Sequence, residues 1–393
     1  MLNKKISGFC LFLFTCFFAK VVVGQKESNI WHFGNGAGLN FNTTPVSVIT
    51  DGQMISREGV CSISDKNNGQ LLFYSEGTKV WDRTHAVMPN GNGLLGDYSS
   101  TQSSIVIPKP GSTSQYYLFT TALGQGTRYS IVDMNLNAGK GDIINSTKNT
   151  LIVGTNNSSE KIIGVQHCNK VDYWIITHKI NSNEYVVFLV NSSGVQTGIT
   201  FPIGAFLGNA IGWQGVGYLK ISSDGSRLAH AIGPQSSGQL SQVELLNFNN
   251  RLGLISGPAT QLTNLDFPYG IEFSKDSRLL YVTTTLGKQI FQYDLTEANI
   301  NSSRFLISSS PNLNYGALQM GPDGKIYVTA ENGYQIGYSY LGVINNPETK
   351  GIYCNYLRDA IYLNGKSSLL GLPTFNANFL KQDTSYITFS SKC

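Results

Sequence analysis

From Ile30 onward the chain repeats one arrangement, in which short apolar runs are bounded by turn-forming residues. LLFYS, SSIVIP, YYLFTT, YSIVDM, YWIITHK, YVVFLV, LLYVTT, IFQYDL and KIYVTA are rich in Val, Ile, Tyr, Phe and Thr. Clusters of Gly, Asn, Asp, Ser and Pro separate them, the mark of strands joined by tight turns. The three- to four-residue apolar repeat of an amphipathic helix is hard to find anywhere.

The spacing of these runs predicts the architecture. Runs that can open a sheet begin near Val60, Ser104, Gly164, Val216, Gly270, Ala317 and Gly371, at intervals of 44, 60, 52, 54, 47 and 54 residues. Strands repeating about every fifty residues are the signature of β-propeller blades. Seven openings predict an all-β fold, a seven-bladed β-propeller forming a single domain over residues 25–393.

A turn signal recurs with the blade. MGPDGKIYVT (320–329), SSDGSRLAHA (222–231) and SKDSRLLYVT (274–283) each place a polar turn and a basic residue before an apolar strand. Asp323-Gly324 and Asp224-Gly225 suit the positive backbone angles of a hairpin at low cost, and Asp276-Ser277 suits them less well. Each is expected between the two inner strands of a blade. WHFGNGAGLNF (31–41) supplies a further strand before the first opening, while GLPTFNANF begins a blade that little chain remains to finish. The amino-terminal strand is therefore expected to complete the last blade and remove its open edge, with Trp31, Phe33 and Phe41 in the core.

Residues 1–24 read separately. Lys4 and Lys5 precede a short apolar run, Ile6 to Ala19, and Val22-Val23-Gly24 ends in a small residue. This is the pattern of a secretory signal peptide cut near Gly24, and the run falls short of the roughly 20 residues a bilayer span needs. Without Lys4, Lys5 and Lys20, the 28 basic residues become 25 against 24 acidic ones. With its basic residues scattered, the mature chain has no polyanion-binding character, so no nucleic acid partner is expected. Nor is a transmembrane segment expected after cleavage, and the mature protein is expected to be monomeric. Cys61, Cys168, Cys354 and Cys393 remain, with three possible pairings, or as buried thiols.

The succession WHFGNGAGLNF, REGVCSISDKNNGQLLFYSEGTKVWDR, HAVMPNGNGLLGDYSSTQSSIVIPKP, YGIEFSKDSRLLYVT, IFQYDL, ALQMGPDGKIYVT, LGVINNPETKGIYCNY and LGLPTF resembles the propeller module of exported Bacteroidetes surface proteins, those described as gliding-motility-associated or as type IX secretion cargo. The resemblance covers nearly all of the mature chain in order. It implies a secreted or cell-surface propeller, usually carried in a larger protein that ends in a sorting domain. No such domain lies between the last blade and Cys393, which leaves a fragment, a released form or a periplasmic protein as readings. The resemblance carries over no catalytic residues.

Motifs for chemistry are sparse. Asp65, Asn67 and Glu76 mimic calcium-loop positions in DKNNGQLLFYSE, but Gln70 stands where the sharp turn needs Gly, so a hairpin is the expected structure. His32, His85, His167, His178 and His230 form no HExxH pair, and no GxSxG elbow or phosphate-cradling loop is present. No cofactor, metal or catalytic residue is assigned. By position, Arg57, Glu58, Gln102, Gln214, Tyr269, Glu272, Tyr315 and Gln319 are expected to ring one mouth of the central channel. There they either bind a ligand or tie the blades together by hydrogen bonds. The resulting expectation is a binding module for a protein or polysaccharide partner outside the cytoplasm, in adhesion or gliding motility. The alternatives are a hydrolase, lyase or lactonase on the same scaffold, and a structural envelope spacer.

Overall fold

A computed structural model describes residues 25–208, 213–236 and 241–380. The signal segment expected at 1–24 and Cys393 lie outside the described residues. The chain forms a seven-bladed β-propeller, and among the described residues the only helices are 3-10 turns of three or four residues. No helix among them is long and apolar enough to cross a membrane.

Six blades are sequential antiparallel sheets, built outward from the channel. Blade one comprises Cys61–Ser64, Leu71–Ser75, Lys79–Asp82 and Val87–Asn92. In blade two, Ser104–Pro108, Gln115–Ala122 and Gly126–Asp133 are edged by two short pieces, Asp142–Ile143 and Thr150–Leu151. Blade three runs Ser158–Gln166, Tyr173–Lys179 and Ser182–Asn191, edged by Gly194–Val195 and Ile199–Leu207. Blade four is Leu219–Ile221, Arg227–Ile232, Ser241–Asn249 and Leu254–Leu265. Blade five is Pro268–Phe273, Leu279–Thr284, Gln289–Asp294 and Phe305–Ser309; blade six is Asn314–Met320, Ile326–Glu331, Tyr340–Ile344 and Tyr356–Tyr362.

Inner strands are covered by neighbouring blades on both faces, which is why PYGIEF, LLYVTT and IYVTAE are buried at every position. The outermost strand of blade six is mostly exposed. Apolar layers fill the gaps between blades: Ile105, Phe119, Ile175 and Phe188 between two and three, Trp174, Val187, Leu228 and Phe248 between three and four, and Tyr281, Tyr315, Val328 and Ile344 between five and six.

The seventh blade closes the ring with more of the amino terminus than a single strand. Ile30–Phe33, Ala37–Asn40 and Ser47–Ile49 form its three outer strands. The segment around Gly371 runs antiparallel beside the first of them, as the pairing of Asn35 with Ser367 and the Ser28 hydroxyl donating to the Phe379 carbonyl (3.4 Å) show. Trp31 seals the join, fully buried, with ring centroids 4.8 Å from Phe41, 5.3 Å from Tyr327 and 5.6 Å from Phe375. On the other side the Thr374 N–H donates to the Val60 carbonyl of blade one (2.7 Å). A Cβ on Gly371 would sit 1.7 Å from the Glu58 carbonyl oxygen, so only glycine allows this approach.

The recurrent polar turns do join the inner two strands of blades four, five and six. Only the second residue of each pair needs a positive φ: 75° at Gly225, 60° at Ser277 and 78° at Gly324. The aspartate acts instead through its carboxylate. Asp224 Oδ1 accepts from the Ser222 hydroxyl (2.6 Å) and the Ser226 N–H (3.0 Å), and Asp276 Oδ1 from the Ser274 hydroxyl (2.6 Å) and the Arg278 N–H (3.1 Å). DKNNG is likewise a hairpin, with Asp65 Oδ1 accepting from the Asn67 and Asn68 N–H groups. The strand Leu71–Ser75 separates Asp65 from Glu76, so the calcium-loop positions do not come together.

Candidate functional site at the channel mouth

All innermost strands start at one face of the ring, here the entry face. Backbone hydrogen bonds link the openings of successive blades there: the Gly59 N–H to the Ser100 carbonyl, Gln102 to Glu160, Tyr218 to Tyr269, Ala317 to Leu370, and Leu370 to Arg57. These bonds leave the side chains of the opening residues to face the channel or a blade interface.

Hydrogen-bond accounting divides the eight expected mouth residues. Gln102 is a staple: its amide donates to the Leu219 carbonyl (3.1 Å) and accepts from the Leu219 N–H (2.7 Å), tying blade two to blade four. Glu272 and Gln319 lie further along the channel and meet at Lys220, whose Nζ is 2.9 Å from Glu272 Oε2 and 2.7 Å from Gln319 Oε1. Glu272 Oε2 also accepts from the Met320 N–H (2.9 Å), so blades four, five and six are pinned together. Tyr315 is not at the mouth. Its ring packs in the apolar layer between blades five and six and its hydroxyl meets that of Ser308 (3.0 Å), because alternation along the strand turns it away from the channel. Gln214 is also displaced. It sits in the linker turn Trp213–Gly215, accepts from the Gly208 N–H (2.6 Å) and lines a cavity of about 350 Å³ with Phe206 and Ile232.

Arg57, Glu58 and Tyr269 remain, and the fold brings them together with two acids that strand spacing did not single out, Glu160 and Glu331. Arg57 Nε lies 3.6 Å from Glu331 Oε1, too far for a hydrogen bond, and neither atom has another partner. The Arg57 guanidinium stacks over the Tyr334 ring, 4.5 Å from its centroid, and Tyr334 is 72% exposed. The Tyr269 hydroxyl is buried with no partner. Polar groups so buried are nearly always paired, which sets the Tyr269 hydroxyl apart from the stapled residues Gln102, Glu272 and Gln319.

Electrostatics sharpen this picture. Burial pushes the Glu58 carboxyl well above the usual range, and the neighbouring Glu160 pushes it further while Arg57 opposes. Burial also pushes Glu160 up to about 7, although Thr101 donates to it from its N–H (3.2 Å) and its hydroxyl. Glu331 is raised by burial, partly offset by Arg57. Burial, then Glu58, raises the Tyr269 hydroxyl. The mouth therefore holds three carboxyls whose charged forms burial disfavours, beside one guanidinium.

Behind the mouth, Lys161 turns the opposite way from Glu160 into the interface of blades three and four. Its Nζ donates to His230 Nε2 (2.8 Å), His230 Nδ1 meets the Tyr185 hydroxyl (2.6 Å), and Tyr185 donates to Glu244 Oε1 (2.6 Å). Burial pulls Lys161 down to about 7. Every member of this chain is buried and paired, as a structural polar network should be.

Sequence reasoning missed Glu160 because blade three was aligned on Gly164, whereas its inner strand begins at Ser158. It missed Glu331 because that residue ends a second strand, IYVTAE, and reaches the mouth only because that strand pairs back to Asn314. Among the described residues, one group of His and Asp side chains is spaced for a metal ion, His32, Asp51 and His85; it lies away from the mouth, at the seam of blades seven and one.

No family model matches the chain, and no curated protein matches it in sequence. Solved structures similar to it include two proteins provisionally named 6-phosphogluconolactonase. The one from Bacteroides fragilis is 14% identical, with 73% of this chain and 77% of that chain covered and a TM-score of 0.42. The one from Bacteroides uniformis is 13% identical, with 81% and 92% covered and a TM-score of 0.47. Hsv2 of Kluyveromyces lactis is 10% identical, with 81% and 90% covered and a TM-score of 0.45. Likeness of this degree transfers no chemistry to the mouth residues.

Proposed function

We propose that this propeller is a binding module of the cell surface or extracellular space, and that it takes a polysaccharide partner at the entry mouth. The carrying observation is the buried Tyr269 hydroxyl, which has no hydrogen-bond partner, beside Arg57 Nε and Glu331 Oε1, which face one another at 3.6 Å without a hydrogen bond while the exposed Tyr334 ring covers the Arg57 guanidinium. Aromatic faces stack on sugar rings, and charged donors and acceptors bind hydroxyls in pairs, so this chemistry suits a carbohydrate. Strand topology puts Tyr98, Phe206 and Trp213, all exposed, on the same face, whereas Tyr353 is exposed on the opposite one. The resemblance to exported Bacteroidetes propellers supports an extracellular setting, with adhesion or surface motility as the process and type IX secretion as the route. A protein partner at the same mouth is the competing occupant.

The test is a glycan-array and envelope-polysaccharide binding assay with wild type, Tyr269→Phe and Tyr334→Ala. Tyr269→Phe removes an unpaired hydroxyl, so thermal stability should hold or rise while binding weakens several-fold. Binding unchanged in both variants, or confined to protein ligands, overturns the reading. A second reading, an acid-catalysed hydrolase or lyase, draws on the raised Glu58 and Glu160, since a general acid must hold its proton near neutral pH. Release of shorter sugars from any polysaccharide that binds, lost in Glu160→Gln, would establish it.

A further inference from the structure

We propose that His32, Asp51 and His85 bind a divalent transition-metal ion of the zinc and cobalt type at the seam where the amino-terminal blade meets blade one. The three residues come from separate elements. His32 lies on Ile30–Phe33, Asp51 just past Ser47–Ile49, and His85 in the turn between Lys79–Asp82 and Val87–Asn92. One ligand atom from each falls within 4.8 Å of the others. A tetrahedral ion at about 2.0–2.1 Å from nitrogen and oxygen ligands holds them about 3.4 Å apart. His85 Nε2 and Asp51 Oδ2 are already at 3.3 Å. Asp51, 62% exposed in its side chain, is free to complete the approach.

The independent sign of a ligand is His32. It is 1% exposed, and both its ring nitrogens are buried with no hydrogen-bond partner. An imidazole that merely filled space would leave two polar atoms unsatisfied, which folded proteins seldom tolerate. Its ring is held in place by stacking on Tyr74 (centroids 4.4 Å, planes 29° apart) and faces the His85 ring edge-on at 5.3 Å.

The surroundings orient His85 as well. Its Nδ1 lies 3.1 Å from the Tyr74 hydroxyl, which also accepts from the Gln53 N–H (3.2 Å). Fixing Nδ1 in this way points Nε2 at Asp51 and the ion, the usual outer-sphere support of a histidine ligand. The His85 backbone is held at φ +65°, a left-handed conformation that few side chains adopt. Two imidazoles and one carboxylate suit zinc, cobalt or nickel, whereas calcium and magnesium need more oxygen ligands. Three protein ligands leave a fourth position for solvent. Since the ligands sit on both sides of the seam, the ion would also fasten the ring's closure.

The experiment uses tag-free, chelator-stripped protein. Co²⁺ is titrated by visible absorption and Zn²⁺ by calorimetry, with Ca²⁺ and Mg²⁺ as controls and melting temperature read alongside. One equivalent of Zn²⁺ or Co²⁺ should bind at micromolar concentration or tighter and raise the melting temperature. Asp51→Ala and His85→Asn should each weaken binding at least ten-fold, Asn being chosen because it tolerates the left-handed backbone. Tyr74→Phe, a change at a positioning residue, should weaken it about ten-fold. His32→Ala removes a core ring and can unfold the seam, so the two more exposed ligands carry the decision. Absence of stoichiometric binding by the wild type, or wild-type affinity in the Asp51→Ala/His85→Asn double variant, overturns the proposal.

Discussion

Replacing Lys220 by Met is the sharpest test of the division between staples and site. Lys220 and Glu272 are 6% and 8% exposed in their side chains, and the ammonium is the only cation hydrogen-bonded to that carboxylate among the described residues. Met preserves most of the side-chain volume, so the perturbation is chiefly electrostatic. Glu272 would keep the Met320 and Phe273 N–H groups, at 2.9 and 3.1 Å, but lose its countercharge, and Gln319 would lose its donor. Breaking a buried pair from one side costs about 3–5 kcal/mol, and the two surviving N–H donors place this case near 3. At about 2.1 cal/mol/K of unfolding entropy per residue over about 350 residues, that lowers the melting temperature by roughly 4 °C. Urea unfolding followed by tryptophan fluorescence measures the loss, and a cycle with Glu272→Gln and the double variant isolates the pair. The double variant should recover at least about 1.5 kcal/mol relative to the sum of the single losses, because it leaves no buried carboxylate without its countercharge, although the amide oxygen can keep only one of the two N–H donors, which meet different oxygens of Glu272. A Lys220→Met loss below about 1 kcal/mol, or strictly additive losses, would refute the view that Glu272 and Gln319 are structural.

Glu160 should give the opposite pH signature from a salt-bridged acid. Its folded value, about 7, lies above the unfolded one, so the folded state holds the extra proton and stability is lost as pH rises from about 4.5 to 7. Glu160→Gln should therefore gain on the wild type by on the order of 1–3 kcal/mol across that window; a flat difference in melting curves between pH 5 and 7.5 contradicts the buried-acid assignment. Trp31→Ala should cost about 3–5 kcal/mol and expose the amino-terminal strands to protease first. Uniform digestion would mean that the ring is not sealed there. Cys61 and Cys354 are free and buried, and burial pushes the Cys61 thiol up to about 12. Neither should react with a thiol reagent until the protein unfolds, and rapid labelling of native protein would refute their burial.

How much of this was legible beforehand depends on the range of the interaction. The hairpin at Asp323-Gly324 is a local matter, settled by which residues accept a positive φ, and reading four residues suffices. The opening of blade five near Gly270 was likewise legible, because GIEFS falls at the recurring interval of about fifty residues, and the strand runs Pro268–Phe273. The closing role of Trp31 could be read from what the far end of the chain lacked. That three strands rather than one would come from the amino terminus was hidden, since GAGLN and SVI are too short and too glycine-rich to carry a strong strand signal.

For the site, the sequence marked Arg57, Glu58 and Tyr269 as belonging to one ring, because a repeating unit makes corresponding positions equivalent. It could not say that Glu272 meets Lys220 while Arg57 stays only half satisfied, or that Tyr315 turns into a blade interface. Nor could it show that His32 and His85, each isolated in the chain, face one another. Local propensity and period determine which residues form strands and how many blades they make. Partnership between side chains depends on how twisted sheets stack around a closed ring, and on which polar atoms that stacking leaves unpaired. Those are properties of the assembled structure, decided by distances between residues far apart in the chain.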